Sequence, residues 1–411
     1  MKHSIPVDQC GHHGAAMAAA VQACVHCGFC LPTCPTYQVM GEEMDSPRGR
    51  ITLMKQVLEG KQPLETALPH VDACLGCLSC ETACPSGVQY RDLISPFRAW
   101  AEPQRERPRL ERMRRWMLMN VLPFRWRMAV AVRLGLMARP FRKVLPKARG
   151  PMFDLLPRRM PKRKPIRDHY EAKGERRARV ALLTGCAQQV LAPEINEATI
   201  RVLQSQGVEV LVPRRQECCG ALAWHVGDEA RAVKAAKANV AAFPTDVDAI
   251  LTNAAGCGST LHEYPLIMGD EAKGFAAKVQ DVAQFLDALG FRVPDKERKV
   301  TVAMQDACHL LHGQRVQSAP RRLLAKFPGV TIREVADPEL CCGSAGSYNL
   351  EHPEVADELG RRKAEALLAA KAEVCITGNI GCLVQLQRHL GDRLRVAHTM
   401  VLIDEWLRDL G

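Results

Sequence analysis

Two cysteine runs stand out in the first 100 residues of this 411-residue chain: Cys24-x-x-Cys27-x-x-Cys30-x-x-x-Cys34-Pro35 and Cys74-x-x-Cys77-x-x-Cys80-x-x-x-Cys84-Pro85. Three thiolates within seven residues can wrap three corners of an iron-sulfur cube without strain, and the fourth must come from farther away. Where two such runs occur together, the last cysteine of each crosses to the other cluster. The spacing therefore predicts two [4Fe-4S] clusters, the first on Cys24, Cys27, Cys30 and Cys84 and the second on Cys74, Cys77, Cys80 and Cys34. Crossing also brings the clusters close together, as electron transfer between them requires. Structural zinc is the competing chemistry, but zinc ribbons use two C-x-x-C pairs across a longer spacer. Gly28, Gly76 and Gly87 read either as points where backbone approaches sulfide or as ordinary turn residues. His26, inside the first loop, reads as a hydrogen-bonding neighbour or a solvent-facing residue rather than a ligand.

Eight further cysteines form two quartets: Cys186, Cys218, Cys219 and Cys257, then Cys308, Cys341, Cys342 and Cys382. Each has one cysteine after a strand-like run, an adjacent pair followed by glycine, and one in a glycine-flanked loop after another strand. The offsets between equivalent cysteines are 122, 123, 123 and 125 residues, which marks an internal duplication. Loops at the carboxyl ends of parallel strands are where open α/β sheets build sites, so each quartet is expected to converge. Adjacent cysteines seldom bond to each other. An additional cluster per repeat, a redox-active thiol site and a purely structural role all remain open for them. His225 and His309 lie close to the quartets in sequence and read as neighbours of the thiols or as surface residues. Cys375 is expected to point into a sheet from a strand, and Cys10 has no visible partner.

Around these residues the text divides into four parts. Residues 1–100 read as an α-helical ferredoxin-like domain, with Ile51, Leu53, Met54, Val57 and Leu58 at helical spacing between the two runs. Residues 101–177 read as a basic linker with one or two amphipathic helices. From residue 178, strand-like and helix-like runs alternate, which predicts α/β repeats with parallel strands over 178–295 and 296–411. The fold class is thus α+β and multidomain. The net charge of +11 is local: residues 101–180 hold 24 Lys/Arg against 7 Asp/Glu, or +17, which leaves the rest at −6.

Cysteines in C-x-x-C runs and Cys-Cys pairs of a long chain, with no basic, apolar leader, point to a reducing, cytoplasmic setting. No stretch reaches the roughly 20 apolar residues that span a bilayer, so the chain is expected to be soluble or peripheral, on the cytoplasmic face of the inner membrane if it is attached. Arginines interleave with Trp116, Phe124 and Trp126 in the linker, which suits docking to an anionic bilayer or to partner subunits; nucleic acid is not the expected partner. No G-x-G-x-x-G fingerprint or Walker A loop is present, so FAD is not expected on this chain.

At this point the residues resemble the iron-sulfur subunit of bacterial glycolate oxidase (glycolate dehydrogenase). The similarity runs through CVHCGFCLPTCPTYQVMGEEMDSPRGRITLMKQVLEG, CETACPSGVQYRDL, CCGSAGSYNLEHPEVADEL and TGNIGC. The resemblance implies a complex in which FAD-containing subunits oxidise glycolate to glyoxylate, and D-lactate in some settings, while this chain passes electrons toward membrane quinone or another acceptor. It also implies clusters on Cys24, Cys27, Cys30, Cys34, Cys74, Cys77, Cys80 and Cys84. Heterodisulfide reductase subunits resemble the repeats but end them in C-x-x-C, whereas here Thr260 and Gln385 occupy those last positions. Removing two electrons from a hydroxy acid needs a flavin, so the chain alone is not expected to turn over glycolate. The alternatives are an autonomous thiol/disulfide reductase and the iron-sulfur subunit of another flavin-dependent dehydrogenase, such as anaerobic glycerol-3-phosphate dehydrogenase.

Overall fold

The computed structural model describes residues 1–143 and 153–410; residues 144–152 of the basic segment lie outside the described residues. The amino-terminal part is helical, with Gly14–Ala23, Pro35–Met40, Pro47–Leu58, Leu64–Asp72 and Arg91–Ala101 as its main elements. Pro47 starts the central helix in the position where a missing N–H costs nothing, and Ser46 caps it by accepting the Gly49 amide. Ile51, Leu53, Met54, Val57 and Leu58, the residues at helical spacing in the sequence, form its buried face.

In the basic segment, the helices Arg109–Val121 and Arg125–Ala138 form a hairpin. Leu118, Met119, Met128 and Val132 point inward onto the rest of the chain. The segment then contributes strand β1 (His169–Tyr170), which pairs antiparallel with β3 (Val208–Leu211). Composition alone assigned those two residues to the linker, because a two-residue edge strand leaves no periodicity to detect.

The first repeat places β2 (Ala178–Leu183), β3, β4 (Ala249–Thr252) and β5 (Val279–Asp281) in a sheet of order β1-β3-β2-β4-β5, parallel apart from β1. The second places β6 (Val300–Gln305), β7 (Val330–Arg333), β8 (Val374–Thr377) and β9 (Arg395–His398) in the parallel order β7-β6-β8-β9. The two orders superpose strand for strand, so the cysteine duplication is a duplication of fold. The central strands β4 and β8 are buried along their whole length, as strands covered by helices on both faces must be. Cys375 sits inward on β8 and is fully buried.

The repeats share one core. Helix Glu194–Ser205 of the first packs on Thr399–Leu410 of the second, and Val282–Leu289 packs on Ser318–Ala325. First helix meets last and last meets first, which is the pairing a pseudo-twofold axis produces. Leu182, Leu203, Leu286, Met304, Leu323 and Trp406 belong to this single buried cluster.

Candidate metal centres

Each ferredoxin-type loop begins where a helix stops. Cys24 caps the end of Gly14–Ala23, and Cys74 follows Leu64–Asp72 after Ala73. In both loops the second and fourth residues after that cysteine take left-handed backbone: His26 (φ 60°) and Gly28 (85°), then Gly76 (63°) and Leu78 (64°). Left-handed single residues fold the chain into a tight cup, at a cost of roughly 1–2 kcal/mol where the residue is not glycine. The glycines at 28 and 76 are therefore turn requirements. A Cβ at Gly76 would meet no other atom of the chain within 4 Å, so what the chain itself imposes there is the left-handed dihedral angle.

Two recesses result. One is lined by Cys24, Cys27, Cys30 and Cys84. The other is lined by Cys34, Cys74, Cys77 and Cys80. Cys80, Tyr90 and Pro47 border both, so the recesses share a wall. The fourth cysteine of each run thus stands with the triplet of the other run.

The donors around the sulfurs suit bound iron-sulfur clusters. The amides of Gly76 and Val88 donate to Cys74 Sγ and Cys84 Sγ at 3.4 Å each. The Ser86 and Thr36 hydroxyls lie 3.4 and 3.2 Å from Cys84 Sγ and Cys34 Sγ. Burial works against ionising Cys84, yet the Ser86 hydroxyl and the Val88 amide bring its pKa below the usual thiol value. His26 is exposed and its Nε2 lies 3.3 Å from Met1 Sδ, so it faces solvent and the amino terminus.

Arg50 lines the second recess, which cysteine spacing did not reveal. It is 1 % exposed, and its Nη1 donates to Thr36 Oγ1 at 2.9 Å and reaches Cys34 Sγ at 3.8 Å. Asp45 and the His70 carbonyl take its remaining donors. Burial opposes its charge, but the thiolates of Cys74 and Cys34, with Tyr90 and Asp45, raise its pKa further. A cation is locked beside the second recess.

The carboxyl-terminal quartets converge as well. Cys186 and Cys218 have sulfurs 3.5 Å apart, and Cys219 is within hydrogen-bonding reach of Cys257. In the second repeat, Cys341 interacts with both Cys308 and Cys342, and Cys342 with Cys382. Cys257 and Cys382 were expected in loops. They sit instead in the first turns of helices Ala255–His262 and Ile380–Leu390, where the Asn379 side-chain amide donates to Cys382 Sγ at 3.4 Å. After each cysteine pair the chain turns left-handed at Gly220 (φ 84°) and Gly343 (81°). Around the first pair, Asn239 donates to the Cys218 carbonyl at 3.1 Å and the Tyr264 hydroxyl to the Cys219 carbonyl at 3.0 Å. Thr260 donates to the Gly256 carbonyl, and Gln385 engages Ala356 and Asn349. Neither polar group is free to act as a fifth ligand.

The second quartet abuts the second recess. Cys77 and Cys341 belong to one buried cluster with Leu340 and Tyr348, and burial followed by the Cys341 charge pushes the Cys77 thiol up. The junction is riveted by polar contacts. The Tyr348 hydroxyl donates to the Ala73 carbonyl at 3.1 Å, and Arg91 donates to the Gly313 carbonyl at 3.1 Å. Arg98 donates to the carbonyls of His225 and Cys74 at 2.8 and 2.7 Å. His225 of the first repeat and His309 of the second are partly buried, and their rings lie 5.3 Å apart. Their Nε2 and Nδ1 atoms are sealed from water with no hydrogen-bond partner among the described residues. Burial first, and the neighbouring His309 and Arg98 next, lower the His225 pKa; burial lowers that of His309 to about 4.

Comparison with known proteins finds two kinds of family model along the chain. Residues 20–88 match the 4Fe-4S dicluster domain, and residues 180–262 and 302–387 match the cysteine-rich domain. Over 400 residues, 94 % of each chain, the protein is 36 % identical to the glycolate oxidase iron-sulfur subunit of Escherichia coli. The chain belongs to this family of iron-sulfur subunits. A probable glycolate oxidase iron-sulfur subunit of Bacillus subtilis is 36 % identical over 413 residues, 93 % of each chain. Lactate utilization protein A of Bacillus cytotoxicus is 29 % identical over 231 residues, 54 % of this chain and 96 % of that one. Membership resolves the choice between iron-sulfur and zinc at the amino-terminal cysteines in favour of [4Fe-4S] clusters.

Proposed function

We propose that this chain is the electron-relay subunit of a flavin-dependent glycolate dehydrogenase, receiving electrons from an FAD-containing partner and passing them toward quinone. In this reading one cluster is held by Cys24, Cys27, Cys30 and Cys84 and the other by Cys74, Cys77, Cys80 and Cys34. Each Cys-Cys-Gly quartet holds a further cluster. When bound, these groups supply one-electron carriers, which is what a flavin that has taken two electrons needs as its outlet. The observation that carries the reading is the continuity of the sulfur-lined sites: the first recess shares Cys80 with the second, and Cys77 of the second packs on Cys341 of a quartet.

The chain's own residues set the route. Cys27 is exposed, and Val25 and Phe29 beside it are 64 % and 67 % exposed, so the first recess opens on an apolar rim suited to a partner subunit. Burial then increases through Cys77 to Cys341 and Cys342, which excludes water from the inner sites. The test is anaerobic EPR: glycolate should reduce this subunit's clusters only when the flavoprotein subunits are present. Glycolate-dependent reduction of the isolated chain would overturn the assignment, and turnover of a disulfide by the isolated chain would favour the reductase alternative.

The helical hairpin of the basic segment is the proposed attachment to an anionic bilayer. Leu110, Met113, Trp116, Trp126, Leu134 and Met137 are each at least 60 % exposed, and Arg109, Arg112, Arg114, Arg125 and Arg133 stand among them. Trp with interspersed Arg on an exposed helical face is suited to the headgroup region of an acidic membrane. No described helix is long and apolar enough to cross one. Arg115 is excluded from this face because it binds the Val226 carbonyl and Glu102 inside the molecule. Flotation with phosphatidylserine vesicles should be lost on changing Arg112, Arg114 and Arg125 to Glu. Equal flotation of the variant, or flotation only when partner subunits are added, would discard the bilayer and point to protein docking.

A further inference from the structure

Outside the sulfur sites, three donors meet that the relay does not use. Glu229 Oε1 lies 2.7 Å from His13 Nε2 and 3.0 Å from His12 Nε2, and all three ligand atoms fall within 4.8 Å of one another. The donors come from opposite ends of the architecture. His12 and His13 precede the helix Gly14–Ala23 of the amino-terminal domain, whereas Glu229 opens the helix Glu229–Ala242 of the first repeat.

We propose that His12, His13 and Glu229 form a divalent transition-metal site, with zinc as the best-suited ion, that staples the ferredoxin-type domain to the first repeat. Two imidazoles and one carboxylate are a common three-ligand zinc set that leaves one position for water. An ion about 2.0–2.2 Å from each donor holds its ligands about 3.3 Å apart, so the site closes by side-chain adjustment alone. The surroundings are asymmetric in the way a bound ion uses. His13 is 5 % exposed and packs against Trp224 at 5.5 Å between ring centroids, which fixes its ring. The His12 side chain is 65 % exposed, which leaves the fourth position open to solvent.

Both imidazoles aim the same ring nitrogen at one carboxylate oxygen, with their rings 3.8 Å apart. In the neutral tautomer protonated at Nδ1, each Nε2 offers the lone pair that a metal ion binds. Asp228, next along the chain, is occupied by Arg231 and does not compete. The site needs neither cluster nor partner and is independent of the relay reading.

The test uses the complete chain, anaerobically purified with its clusters in place and washed with chelator, and zinc as the probe. His12→Ala alters an exposed side chain and is expected to fold normally, with unchanged iron content. Equilibrium dialysis should give one more zinc per chain for wild type than for His12→Ala, with affinity lowered roughly tenfold or more by the loss of one ligand. Glu229→Gln should lose the same zinc, and zinc should raise the thermal midpoint of wild type alone. Equal zinc binding by wild type and His12→Ala at matched iron content would overturn the site and leave an ordinary histidine–glutamate ion pair.

Discussion

Arg50 keeps a positive charge within reach of the Cys34 sulfur in a place water does not enter. A unit charge about 5 Å from an added electron is worth roughly 3 kcal/mol at an effective dielectric constant near 20. Replacing Arg50 with Met should therefore make one cluster harder to reduce, while Arg50→Lys should retain most of the potential. Redox titration followed by EPR would check this, and an unchanged potential in Arg50→Met would remove the electrostatic role. Glu263 gives a pH prediction at the same scale. It is buried, accepts the Trp224 indole N–H at 2.8 Å, and burial pushes its carboxyl up to about 7; Asp281 is pushed to about 7 by the same cause. Raised folded-state values mean that the folded chain binds more protons than the unfolded chain between about pH 4 and 7. The stabilisation is full at the acid end and is lost as pH rises toward 7. Glu263→Gln should flatten its share of this slope, up to about 3 kcal/mol, in thermal midpoints measured across that range.

Two glycines separate two kinds of constraint on the elements. A Cβ at Gly343 would stand 2.5 Å from the Ala356 carbonyl of the helix Pro353–Ala369, so both the dihedral angle and the helix packing exclude a side chain. At Gly76 the chain itself objects through the dihedral angle, with no other part of it within 4 Å. Gly343→Ala should destabilise the second repeat by more than about 2 kcal/mol and displace Cys341 and Cys342; Gly76→Ala should cost about 1 kcal/mol. Denaturant midpoints at matched cluster content would compare the pair. The helix Pro47–Leu58 illustrates the converse, a segment whose boundaries follow from Ser46, Pro47 and the spacing of its apolar residues. Arg50 within it was not legible as a residue of the cluster surroundings, because an arginine in a helix of mixed polarity looks like any solvated charge until packing encloses it.

At the scale of the molecule, the sulfur sites run from an exposed rim to a buried interior, and iron content reports how many are filled. Four occupied sites correspond to about sixteen irons per chain and the two amino-terminal sites alone to about eight. Cys341→Ser should then remove about four irons while sparing the ferredoxin-type signals, as measured by iron and sulfide analysis with EPR. Phe29→Ser should slow glycolate-dependent reduction in the assembled complex without changing iron content, since it alters only the exposed rim. The amino-acid sequence by itself determined the local chemistry: eight thiols with cluster spacing, duplicated quartets, and parallel α/β repeats, all written in spacings a few residues long or in a 122–125-residue echo. Tertiary structure decided what touches what across long separations: Cys77 against Cys341, Arg50 against Cys34, His13 against Glu229, and His225 against His309. Such contacts arise from the burial of whole faces when domains dock, a global free-energy balance that leaves no periodic trace in the residues that happen to meet.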